Sequence, residues 1–196
     1  MTKDTVKSND KSNTNNTKEI RTLLVKPEIS KWHITDERIR HMHGVAELMY
    51  QYYDAFNCKY LSREEVYILG LNHDIGYMIE KDGHEFYGAR IFEGFSDVGR
   101  KNVIAKCILH HGDTPKQFMG CHKCSADEIP GELLLLWWAD MCVESGGEQA
   151  GEAVGFEQRL RSLGKRYGEN SDPCAKCKES MDWLKSHLPE EIKLTL

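Results

Sequence analysis

Apolar residues along this chain recur at three- and four-residue spacing, and no stretch sustains the apolar–polar alternation of a half-buried strand. That period leads to one kind of fold, in which helices bury a stripe of side chains against one another. Polar punctuation divides the pattern. Thr35, followed by Asp36 and Glu37, opens a helix expected to run to about Asn57. "SREE" places Ser62 three residues before Glu65, a capping box, and opens a second helix through "VYILGLNHD", expected to stop near Gly76. A third helix is expected from about His84 to Phe95 and a fourth from about Gly99 to His111. The segment "GDTPKQFMGCHKCSADEIP" reads as a loop. A fifth helix starts near Pro130, which suits a first-turn position, and carries "GELLLLWWADMCVE". Two or three more fill residues 148 to 188. The expected fold is an all-α bundle.

The 196 residues are enough for one domain with a sizeable core. Residues 1–18 are polar throughout, with one Val as their only branched aliphatic residue. They read as a disordered tail ahead of a single domain over 19–196. A formal charge of −5 argues against a bulk nucleic-acid binder. The longest apolar run, "LLLLWWA", is far too short to span a bilayer. The first residues carry neither a secretory apolar core nor the arginines of a transit peptide, so the expected location is cytoplasmic. Oligomeric state is left open. Nine histidines and seven cysteines motivate a search for metal ligands.

Helical phase puts several polar groups on apolar faces. His41, Val45, Leu48 and Tyr52 share one face, whereas His43 aligns with Glu47, Tyr50 and Asp54. His41 therefore points inward. On the second helix Val66, Leu69 and Gly70 share a face with His73, and Asp74 lies beside it. On the fifth, Asp140 lies beneath Leu133, Leu136 and Trp137, a costly place for a carboxylate without a cation. On the fourth, His111 aligns with Ile104 and Ile108, and His110 with Val103 and Cys107, so periodicity does not choose between them. Each alone has a plain reading, as a hydrogen-bonded core histidine or an ion-paired aspartate. Together with His84 they place ligand-type residues at inward positions on successive helices, a usual way to build a metal site in a bundle. Mixed His and carboxylate ligands suit Fe, Mn, Zn or Ni better than Ca or Mg.

In this order the residues resemble the HD-domain superfamily of metal-dependent phosphohydrolases. "RIRHMHGV" at 38–45 is similar to the family's opening R-x-x-H-x-x-x-V, and "HDIG" at 73–76 is the doublet that names it. "HEFYGA" at 84–89 resembles an element of the binuclear, bis-nucleoside tetraphosphate hydrolase-like branch. "ILHHGD" resembles a histidine pair of binuclear members, and "WWADMCVE" the closing element with Asp140. The resemblance implies one metal held by His41, His73, Asp74 and Asp140. It implies a second at His84 and His111, with His110 as the alternative and Asp74 bridging. Asp74 and His73 are then the catalytic centre. The implied activity is hydrolysis of a phosphate ester or anhydride of a nucleotide or other small phosphorylated metabolite by metal-activated water. Lys81, Arg90 and Lys116 are the cations near these motifs available to hold phosphate. Tyr77 stands where many relatives carry a cation. That keeps open a di-iron oxygenase on the same scaffold, beside a regulatory domain that binds nucleotide without turnover.

Two CxxC pairs, Cys121/Cys124 and Cys174/Cys177, are the usual recipe for a tetrahedral structural zinc. Such an ion would staple the loop after His111 to the C-terminal segment.

Overall fold

A computed structural model describes residues 34–94, 99–188 and 192. The tail expected over 1–18 lies outside them. Eight α-helices occur among the described residues: α1 (Asp36–Gln51), α2 (Arg63–Asn72), α3 (His84–Gly94), α4 (Lys101–His110), α5 (Pro115–His122), α6 (Gly131–Cys142), α7 (Phe156–Tyr167) and α8 (Asp172–His187). The described residues form no strand; Val143 and Ala153 make one isolated bridge. The fold is the all-α bundle that the spacing predicts.

α6 is its axis. Its sequence is apolar on all sides, and nine of its twelve residues are buried, so it packs against α1, α2, α4, α7 and α8. Asp140 sits in its last turn.

The caps act as the sequence suggests. Thr35 Oγ1 accepts the Arg38 amide, and Ser62 and Glu65 satisfy each other's backbone amides in both directions. α1 ends at Gln51, short of the expected Asn57. Arg63 from α2 takes the Tyr50 carbonyl, and a 3₁₀ turn follows at Tyr53–Ala55. α2 likewise ends at Asn72, so the His73–Asp74 doublet lies in a turn that leads into the 3₁₀ segment Ile75–Met78. The expected loop after His111 holds a whole helix, α5. Thr114 and Gln117 form a second capping box there, with Pro115 in the first turn.

Two glycines bring the ligand-bearing elements together. A Cβ on Gly70 would lie 2.6 Å from the Ala46 Cα, so α1 and α2 touch backbone to backbone. A Cβ on Gly76 would lie 1.8 Å from the His84 carbonyl oxygen and 2.6 Å from the Gly88 amide. Only glycine lets the turn after Asp74 seat on the start of α3.

Candidate metal centre

His41 from the second turn of α1, the His73–Asp74 turn and Asp140 from α6 converge in the interior. His41 Nε2 lies 2.9 Å from Asp140 Oδ1 and 3.8 Å from Asp74 Oδ2. His73 Nε2 lies 3.4 Å from Asp74 Oδ2 and 3.8 Å from Asp140 Oδ1. Both rings are fully buried. His73 Nε2 makes no hydrogen bond, although two carboxylates face it. A buried ring nitrogen aimed at carboxylate oxygens without bonding them suits a cation between them.

A second group shares Asp74. Its other oxygen, Oδ1, lies 3.1 Å from His111 Nε2 and 3.2 Å from His84 Nε2, and those two nitrogens are 3.2 Å apart. The ligand-type atoms of His41, His73 and Asp140, and those of His73, Asp74 and His111, each lie within 4.8 Å of one another. His84 joins the second group from the solvent side.

The tautomers follow from the opposite edges of the rings. Nδ1 of His41 donates to the Glu144 carbonyl at 3.3 Å, and Nδ1 of His73 to Gly70 at 2.8 Å. Nδ1 of His84 donates to Lys81 at 3.0 Å, and Nδ1 of His111 to Ile108 at 2.7 Å. A carbonyl only accepts, so each Nδ1 carries a proton and each ring turns its Nε2 to the centre, a lone pair when the ring is neutral and a donor to the carboxylates when it is protonated. With the rings neutral, as metal binding requires, His84, His111 and Asp74 Oδ1 bring three acceptors together with no proton among them. A metal ion would resolve that repulsion, and the carbonyls fix the ring orientations a metal would need. The donor set fits one or two such ions.

The charges agree. Burial alone would favour a neutral Asp74, but His73, Arg38 and a hydrogen bond from His111 outweigh it and hold the carboxyl well below the usual range. Burial is outweighed in the same way at Asp140, by His41 and His73, and that carboxyl is lowered too. Burial lowers the pKa of His41, and the nearby carboxylates only partly offset it. At His73 Asp74 and Asp140 overcome burial and raise the pKa. Arg38 is the cation in contact with the pair: its Nη1 meets Asp74 Oδ2 at 2.5 Å. The Arg38 guanidinium also stacks 4.2 Å over Tyr77, whose ring packs 4.0 Å from that of His84. The Arg38, His84 and Asp140 side chains are partly exposed, so the centre opens on their side.

The other sequence candidates lie elsewhere. His43 is half-buried beside Arg40 and Glu47 on the outer face of α1. His110 turns away from Asp74: its Nδ1 bonds Asp113 at 2.8 Å and its Nε2 meets His122 at 3.1 Å. Arg90 pairs with Glu93 and Lys116 with Glu179, both exposed. Exposed Lys81 reaches over the Tyr167 ring. The cation that reaches Asp74 is Arg38, and its signal was its phase, one turn before His41 on the same face.

The cysteine pairs do not assemble. No three of their sulfurs lie within 4.8 Å of one another. Both pairs begin on helices rather than on facing loops. Cys174 and Cys177 turn into the apolar core from α8, while Cys121 is exposed on α5 and Cys124 follows it, half-buried. Burial pushes the Cys177 thiol up to about 11, which opposes the thiolate that zinc requires.

Comparison with known families matches the HD domain over residues 38–185, most of the chain. Searches of curated proteins and of solved structures return no match. The matched span begins at Arg38 and includes every residue that faces Asp74, and on that match the chain belongs to the HD-domain family.

Proposed function

We propose that this protein is a binuclear metal-dependent phosphohydrolase, closest in kind to the bis-nucleoside tetraphosphate hydrolase-like branch, acting on a nucleotide or other small phosphorylated metabolite. One observation carries the reading. The two oxygens of Asp74 face different histidine pairs, Oδ2 toward His41 and His73 and Oδ1 toward His84 and His111. A carboxylate so placed is suited to bridge two ions.

Six residues would hold the pair: His41, His73, Asp74, His84, His111 and Asp140. Bound there, divalent or transition metals would supply a water of lowered pKa and stabilise charge on phosphoryl oxygens. The chain's own residues do the rest. The four Nδ1–H donors fix the orientation of the imidazoles and turn each Nε2 to the centre. Arg38 uses one of its five donors on Asp74, and its partly exposed guanidinium can turn others to a phosphoryl oxygen. Tyr77 holds that guanidinium flat from beneath. This placement also weighs against an oxygenase. That alternative leaned on Tyr77 where a cation is common, and Arg38 supplies the cation from α1.

Elemental analysis of anaerobically purified protein, joined to a phosphate-release screen, tests the reading. Metal near two equivalents and phosphate release abolished by Asp74→Ala are expected. Full activity in that variant would sink it, and oxygen uptake with no phosphate release would favour the oxygenase.

A further inference from the structure

The four ligand imidazoles are not held alike. His73 and His111 donate to carbonyls three residues back in their own helices. The acceptors for His41 and His84 are carbonyls outside helices: Glu144, just after α6, and Lys81, just before α3. A loop carbonyl orients a ring only as well as the loop itself is fixed.

Both loops meet the last turn of α7. Arg166 donates from Nη1 to Ser145 Oγ at 2.9 Å and from Nη2 to Glu144 Oε1 at 3.3 Å. Its guanidinium lies so close to the 146 backbone that a Cβ on Gly146 would come within 2.3 Å of Nη2. Arg159, two turns earlier on the same face, bonds the same Ser145 hydroxyl and lies 3.5 Å from Glu144 Oε1. Glu144, Ser145 and Arg159 are all buried, and the Glu144 carbonyl that receives His41 also accepts the Gly151 amide at 2.9 Å. The next residue on α7, Tyr167, takes the other loop: the Lys81 ammonium lies 5.6 Å from its ring centre.

We propose that Arg166 and Tyr167 form a positioning clamp that sets His41 and His84, one ligand for each ion. The proposal rests on the binuclear reading above. The clamp's arms are unequal. The Arg166 arm is charge-assisted and runs from an exposed arginine to the buried Glu144 and Ser145; the Tyr167 arm is an exposed cation–aromatic contact. α7 thereby ties the two halves of the centre to one rigid element.

Calorimetric Mn²⁺ titration of the full chain, with ¹⁵N resonances of the His Nδ1–H groups, tests it. Arg166→Gln should weaken one of the two sites by roughly 10–100-fold and broaden the His41 Nδ1–H signal, with Arg166→Lys recovering part of the loss. Tyr167→Leu should weaken the other by about 2–5-fold. Arg161→Gln, an exposed change on the same helix, should bind as the unaltered chain does. A lowered melting temperature in Arg166→Gln with unchanged Mn²⁺ affinity and an unchanged His41 signal would overturn the clamp and leave the metal site standing. Asp74→Ala separates the two ideas, because retention of both ions there would remove the reading of a centre joined by Asp74, whatever the clamp variants show.

Discussion

At the scale of single residues, the inward ligands divide by how local their geometry is. His41 could be told from His43 because a helix face fixes direction once its phase is known. His110 and His111 could not be told apart, because both of their faces are apolar. Their separation depends on Asp113 and His122, which draw His110 away and become its neighbours only in the folded chain. Gly76 shows the same limit. Its place in "HDIG" was legible, but its role against the His84 carbonyl was not. Gly76→Ala should cost about 2 kcal/mol or more, because the clash is with backbone that has no room to shift. It should also displace His84, so Mn²⁺ titration of the surviving fold should show one ion where the proposed binuclear centre of the unaltered chain would take two. Glu144 gives a prediction in pH. Burial there favours the neutral acid, but hydrogen bonds from Ser162 and the Ser145 amide, with Arg159 and Arg166, outweigh it and lower the folded pKa. A depressed carboxyl contributes stability in full above its unfolded value of about 4.3, and loses it as pH falls through the folded value. Asp74 and Asp140 act with the same sign. The melting-temperature gap between the unaltered chain and Glu144→Gln should therefore be widest near neutrality and close in acid.

At the scale of elements, capping chemistry was legible wherever a cap preceded an apolar run. The missed element, α5, has a cap but a weak run. In the helix "PKQFMGCH" only Pro115 and Phe118 are buried, so composition pointed to a loop while Thr114 and Gln117 pointed to a helix start. The misleading signal was the CxxC spacing. It is informative when both pairs lie on tight loops, whereas here Cys174 and Cys177 share one inward face of α8 at i, i+3. Thr114 also reaches Glu179 on α8 at 3.3 Å, so the start of α5 is tied at two points. Thr114→Ala should cost about 1 kcal/mol, a fall of roughly 2–4 °C in melting temperature. Mn²⁺ affinity should be unchanged, since no ligand histidine is held by α5. A marked loss of affinity would show that α5 takes part in orienting His111.

At the scale of the whole molecule, the proposed ligands come from α1, the turn after α2, α3, the end of α4 and α6, while α7 braces two of the loops behind them. The centre therefore joins elements spread over more than a hundred residues of chain, and the same contacts that would bind metal would resist unfolding. Binding to the folded state alone stabilises it by RT ln(1 + [L]/Kd), about 2.7 kcal/mol at a hundredfold excess over Kd. For a chain of this size that is roughly 5–10 °C in melting temperature. Saturating Mn²⁺ should raise the midpoint of the full chain by about that amount, and a chelator should return it to the apoprotein value. Asp74→Ala should remove the increment, because its carboxylate faces both groups. The increment should also shrink as pH falls from neutrality into acid, since metal-binding imidazoles must be neutral and protons compete for the same Nε2 lone pairs. Calorimetric scans with and without Mn²⁺ across that range check the sign. An increment that stayed constant into acid would mean that the stabilising ion sits on carboxylates alone, away from the four histidines.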